Sequence, residues 1–141
     1  MKSFAAVIDT NVVVAALLTE DVDSPTARIL NAMLRGEFPF LLSTALLAEY
    51  REVLLRRKVR ALHGLSERDV DLVLTAFAAN AIVREPKHRD GAPDVNDTHV
   101  WSLVESNPNY ALVTGDRLLV DLRSPKPRVV TPRQFVDLLG R

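Results

Sequence analysis

No cysteine occurs among the 141 residues, which excludes disulfides and thiolate metal sites and fits a reducing compartment. An excess of one charge is equally absent. Lysine plus arginine and aspartate plus glutamate both number 18, so no global field advertises nucleic acid or an acidic partner, and local clusters must carry any such argument. Apolar stretches are broken by charge well before the roughly 18 residues of a membrane helix, and the amino terminus lacks the layout of a signal peptide. No repeat, low-complexity tract or interdomain linker is visible. What is present is 48% hydrophobic residues, enough to build a core for one compact domain over 1–141 and too short a chain for two ordinary ones. The expectation is a soluble, cytoplasmic protein without membrane contact.

The apolar runs alternate between two periods. Phe4 to Ile8, Phe38 to Leu42, Ala81 to Val83, Tyr110 to Thr114 and Arg128 to Val130 read as short strands, apolar on both faces where they are central. Between them lie helices with recognisable starts: Ser24-Pro25, Ser43, Ser66-Glu67-Arg68-Asp69 and Thr131-Pro132-Arg133-Gln134 are caps or capping boxes, and Gly36 closes the helix that begins at Pro25. The helix after Ser43 buries Leu46, Leu47, Tyr50, Val53 and Leu54 and is expected to run to about Arg57. Pro86 to Pro93 reads as a surface loop, and Asp97 to about Ser106 as a helix. Such alternation predicts an α/β fold with a mainly parallel sheet covered on both faces by right-handed crossovers.

Acids stand where strands end. Asp9 follows Val7-Ile8 and opens Asp9-Thr10-Asn11, and Asp116 follows Val113-Thr114-Gly115. In parallel sheets ligands gather beyond the carboxyl ends of the strands, so these two are candidates for one site. Asp9 also reads as a helix cap, and Asp94 and Asp97 as caps of the helix they precede. Asn11 replaces the second aspartate that a haloacid-dehalogenase-type phosphotransferase would need. Glu49 lies six residues past Ser43, roughly 9 Å along its helix, and is flanked by the small Ala45 and Ala48, so it can lean toward the strand ends or simply be solvated. Brought together, Asp9, Glu49, Asp97 and Asp116 would repel one another unless a cation neutralised them. Hard oxygen donors select magnesium or manganese, and an ion with open water positions supports phosphodiester hydrolysis.

These residues resemble the PIN domain family, especially its VapC-like toxins. The resemblance runs over nearly the whole chain: Val7-Ile8-Asp9-Thr10-Asn11-Val12, Leu47-Ala48-Glu49-Tyr50, Asp94-Val95-Asn96-Asp97, Val113-Thr114-Gly115-Asp116 and the tail Val130-Thr131-Pro132-Arg133-Gln134-Phe135. It implies a three-layer α/β/α sandwich, a magnesium- or manganese-dependent ribonuclease site, and a homodimer inhibited by a small antitoxin. Asp9, Glu49, Asp97 and Asp116 match the acidic quartet, with Asn11, Asp94 and Thr114 in support. Two positions depart from the pattern, Asn96 and Leu118, where members of the family often carry further acids, and fewer acids mean weaker metal binding. Alternatives of another class are a catalytically quiet RNA- or protein-binding module, or a processing nuclease that is not a toxin.

For RNA phosphates the candidates are Arg56, Arg57 and Lys58, with Arg51 and Arg60 nearby and Lys87, His88 and Arg89 in the loop before the acids. The same cations can equally satisfy a helix carboxyl end. His88 and His99 have no acid beside them in sequence and read as bystanders; Trp101 and Phe77 fall at core positions.

Overall fold

The structure is a computed structural model and describes residues 5–85, 98–107, 109–116 and 129–140. Along those residues run β1 (Ala6–Ile8), α1 (Thr10–Leu18), α2 (Pro25–Arg35), β2 (Phe40–Leu42), α3 (Thr44–Leu54), α4 (Arg57–His63), α5 (Glu67–Asn80), β3 (Ile82–Val83), α6 (Thr98–Glu105), β4 (Ala111–Val113), β5 (Val129–Val130) and α7 (Pro132–Leu139). The strands form one parallel sheet in the order β3-β2-β1-β4-β5. Central β1 is fully buried, which is why Ala6, Val7 and Ile8 are apolar without alternation.

The order of the strands decides where a ligand would go. From β1 the chain moves outward through β2 to β3, then crosses back to place β4 on the other side of β1. Right-handed crossovers therefore put α1 to α5 on one face and α6 on the other, giving three layers. The reversal leaves a crevice beyond the carboxyl ends of β1 and β4, where Asp9 and Thr114-Gly115-Asp116 emerge. Asp9 N–H donates to Val113 O at 2.9 Å, so the ladder extends as far as the acid itself.

Local chemistry explains the helix boundaries. Ser24 Oγ accepts from Ala27 N–H with Pro25 at the first helical position, and Ser43 Oγ accepts from Leu46 N–H. Both capping boxes form, Ser66 with Asp69 and Thr131 with Gln134. Gly36 closes α2 at φ 65°, a left-handed conformation that L side chains rarely adopt, and the Asn80 amide donates to Met33 O and Leu34 O at the same helix end.

One boundary differs from expectation. The helix expected to reach Arg57 stops at Leu54, Arg56 is extended, and a separate short helix, α4, begins at Arg57. The reason lies in the apolar period. Counting on from Leu54 by three and four reaches Arg57 and Lys58, which have nothing to bury, and α4 contains no buried residue. His63 fixes the turn: Leu65 N–H donates to Nδ1 at 2.9 Å, so Nε2 carries the proton and donates to Leu54 O at 2.8 Å, capping α3.

Beneath the helices an aromatic chain links the layers. Phe38 packs edge-on to Phe135 with centroids 5.0 Å apart, Phe40 meets Phe77 at 6.3 Å, and Phe77 meets Tyr50 at 6.1 Å. Tyr50, on the turn of α3 that carries Glu49, is fully buried and donates its hydroxyl to Ile8 O. That bond ties α3 to the last residue of β1, one residue before Asp9. Phe77 and Trp101 are core residues, as their helical positions suggest.

Candidate active site

Asp9 is buried although it is an acid, and it caps α1 by accepting from Thr10 N–H at 2.9 Å through Oδ1. Both sequence readings of this residue therefore hold at once: it caps a helix and it faces the crevice. Its other oxygen, Oδ2, accepts from Thr114 Oγ1 at 2.8 Å and Asn11 Nδ2 at 3.2 Å. Asn11 in turn accepts Gly115 N–H at 2.9 Å through its own oxygen, which fixes the sense of its amide. Thr114, wholly buried, donates to Asp9 and accepts from Asn11 Nδ2 at 3.1 Å and Asp116 N–H at 3.0 Å, filling the capacity of one hydroxyl. The ends of β1 and β4 are thus stitched together around one carboxylate.

Opposite this knot stands Glu49 of α3. Its Oε2 accepts from Thr10 Oγ1 and its Oε1 lies 3.0 Å from His99 Nε2 on α6. Asp9, Thr10, Asn11, Glu49, His99 and Asp116 line one cleft of about 870 Å³, floored on the helix side by Ala45 and Ala48, with Glu52 and Arg56 at its edge. Of the expected quartet, Asp9, Glu49 and Asp116 are brought to this cleft together with the supporting Asn11; Thr114 lies behind Asp9. Asp97 and Asp94 fall outside the described residues, as do the loop cations Lys87, His88 and Arg89 and the departures Asn96 and Leu118. Glu85, just before that segment, is fastened to the start of α3, accepting from Thr44 N–H at 2.8 Å and Thr44 Oγ1 at 2.6 Å.

The electrostatics separate the acids. Burial pushes the Asp9 carboxyl above its ordinary range, against the pull of Thr114 and Thr10, and the negative charges of Glu49 and Asp116 push it further up. Glu49 moves the other way, held down chiefly by its hydrogen bond to His99. One crevice therefore holds a carboxylate that resists ionisation beside one that favours it, a divergence typical of functional sites.

Among the basic candidates, Arg56 lines the cleft, whereas Arg57 and Lys58 are exposed at the start of α4 and do not. Arg51 turns away to Glu67 and Asp71 on α5, at 2.6 and 2.9 Å. His99 requires a correction. It reads as a bystander in sequence, yet it pairs with Glu49 across 50 positions of chain and faces the cleft. Thr10, the other partner of Glu49, gives no sign of that role in the sequence. For His99 the available signal is an imidazole beside Val100, Leu103 and Val104 on a helix preceded by acids.

A family model, PIN domain, matches residues 5–118. The chain belongs to the PIN domain family. No curated protein matches the sequence at a significant level. PIN domains are in general nucleases, and Asp9, Glu49 and Asp116 of this chain line one cleft at the β1/β4 reversal. Among the described residues, no three His, Asp or Glu side chains lie close enough to hold an ion by themselves. The donors nevertheless suit a hard divalent ion: Asp9 and Asp116 offer oxygen only, Asp9 is crowded by like charge, and His99 is directed at Glu49. No helix among the described residues is long and apolar enough to cross a membrane.

Proposed function

We propose that this PIN domain is a metal-dependent endoribonuclease that hydrolyses RNA phosphodiester bonds, and that it is the toxin of a toxin–antitoxin pair. The observation that carries the first part is the convergence of Asp9, Glu49 and Asp116 on one cleft at the reversal of the sheet, with Asp9 buried and its charge uncompensated by any cation among the described residues. Carboxylates arranged this way cost stability, and a magnesium or manganese ion removes that cost. Asp9 and Asp116, with Asp97, would hold it, and Glu49 would bind it or orient the attacking water.

The bound ion would supply an activated water and a Lewis acid for a phosphate oxygen. This chain's own residues do the rest. Thr114 and Asn11 fix the Asp9 carboxylate so that it meets its ligand without reorganisation, and the backbone of Gly115 is locked to Asn11 so that Asp116 is delivered to the same crevice. Arg56 at the edge, with Arg57 and Lys58 on the adjoining helix, would take phosphates of the RNA without reading its sequence.

A small antitoxin protein and a second copy of the chain are the expected partners. Incubating the protein with mixed RNA and manganese, with and without chelator, tests the enzyme. Chelator-sensitive cleavage is expected; no cleavage together with no saturable manganese binding by calorimetry would leave a quiet binding module. Growth arrest on expression, relieved by a co-expressed neighbouring gene, tests the toxin role, and absence of arrest from an active nuclease points to a processing enzyme.

A further inference from the structure

Glu49 is gripped from two layers of the sandwich. Thr10, in the first turn of α1, donates to Oε2, and His99, in the first turn of α6, meets Oε1 at 3.0 Å. α1 and α6 lie on opposite faces of the sheet, so the two bonds close a strap over the carboxyl end of β1. An ionised carboxylate only accepts, so Nε2 carries the proton on His99 and donates it toward Glu49.

The strap is needed because, among the described residues, Thr10 and His99 supply the hydrogen bonds that fix this side chain. Of the α3 residues that line the cleft with it, Ala45 and Ala48 are too small to pack a glutamate into one rotamer, Glu52 carries the same charge, and Val53 is the one larger apolar neighbour; Glu49 and His99 are 24% and 27% exposed. A glutamate on such a surface keeps its rotamer freedom unless specific hydrogen bonds remove it. Asp9 by contrast has its position set by the backbone it caps. The two acids that face each other across the cleft are therefore positioned by different means, one by its own strand end and one by a residue from a distant helix.

We propose that His99 is a positioning residue: with Thr10 it holds Glu49 in the single orientation that the hydrolytic step requires, so that it acts on turnover and not on substrate binding. This rests on the nuclease reading. The role is carried entirely through Glu49, since His99 meets the reacting groups by way of that carboxylate, and it needs a side-chain N–H at the reach of Nε2.

Three measurements test it. His99→Ala is expected to lower kcat on RNA with manganese about 10- to 100-fold while KM stays within about twofold. His99→Gln, whose amide N–H reaches the same distance, is expected to restore most of that loss. In a Glu49→Ala background, which removes the acceptor, the His99→Ala change is expected to cost no further activity, and in chelator the melting-point losses of the two single variants are expected not to add. Additive losses, or His99→Ala at wild-type kcat in an active protein, would overturn the assignment. A wild type that cleaves no RNA sinks the nuclease reading instead, and the melting-point cycle still reports whether His99 and Glu49 are coupled.

Discussion

α3 separates two groups of acids that the same helix touches two residues apart. On one flank Glu49 faces the cleft with Asp9 and Asp116; on the other Arg51 is clasped by Glu67 and Asp71 of α5, in solvent. The outer group is self-neutralising, with a guanidinium between two carboxylates, and such exposed pairs contribute little because water screens them. The inner group is held by neutral donors and one histidine, with Arg56 lining the same cleft and acting on Glu49 through its charge alone, and its most buried member, Asp9, is driven toward the protonated form. The difference separates acids that dock one helix on another from acids whose opposed shifts are typical of functional sites.

The sharpest way to break this comparison is Asp9→Asn. RNA cleavage with manganese should fall by more than about 100-fold, since a direct ligand matters more than the groups that orient it. Retained cleavage would place the chemistry elsewhere. Next in size comes Thr114→Val, nearly isosteric at a fully buried position, which removes the hydroxyl at the centre of the Asp9 knot. Counting all three bonds of that hydroxyl, the change strands the acceptor Asp9 Oδ2 and two donors, Asn11 Nδ2 and Asp116 N–H; at least about 1–3 kcal/mol of stability should be lost in urea unfolding, and a loss well under that would show the knot to be loosely held.

The third outcome is a pH dependence. Burial raises the Asp9 pKa in the folded state above its ordinary 3.8, so the folded protein holds this proton more tightly than the unfolded chain does. The stability tied to that proton is complete below the unfolded value and is lost as pH climbs through the raised one. An amide in place of the carboxyl has no such proton, so the melting point of Asp9→Asn minus that of the wild type, measured in chelator, should become more positive from about pH 4 toward pH 7. The offset also includes an amide set among three donors; the slope isolates the charge. A flat or falling difference would show Asp9 to be compensated.

Smaller effects come from the arginines. Arg56→Ala should raise the RNA KM about threefold and flatten its dependence on salt by about one phosphate contact, whereas Arg51→Ala should change neither. Arg51→Ala should also move the melting point by no more than about 2 °C. An Arg51 variant with the larger KM effect would reverse the assignment of the two flanks.

Most of the architecture was legible along the chain because local physics writes it there. The capping residues Ser24, Ser43, Ser66 and Thr131 all act as their types demand, and the fully apolar β1 could only be a central parallel strand. Strand ends were overdrawn by one or two residues, as at Phe38, because a buried aromatic outside the ladder looks like one inside it. α4 leaves no mark in the sequence, since it buries nothing and a helix without an apolar stripe has no period. Asp9, Glu49 and Asp116 were legible by type and setting. Asp94 and Asp97 remain expectations from sequence, being outside the described residues.

By itself, then, the sequence determined which residues form strands and helices, and that acids follow the strands, because caps, periods and apolar runs act over a few neighbouring positions. Only the tertiary structure decided that β1 and β4 would lie side by side, that Thr114 and Asn11 would grip Asp9, and that His99 would reach Glu49 from the other face of the sheet. Those contacts join positions from 50 to 105 apart in the chain, with Asn11 the local exception, and no short-range preference encodes a partner at that separation.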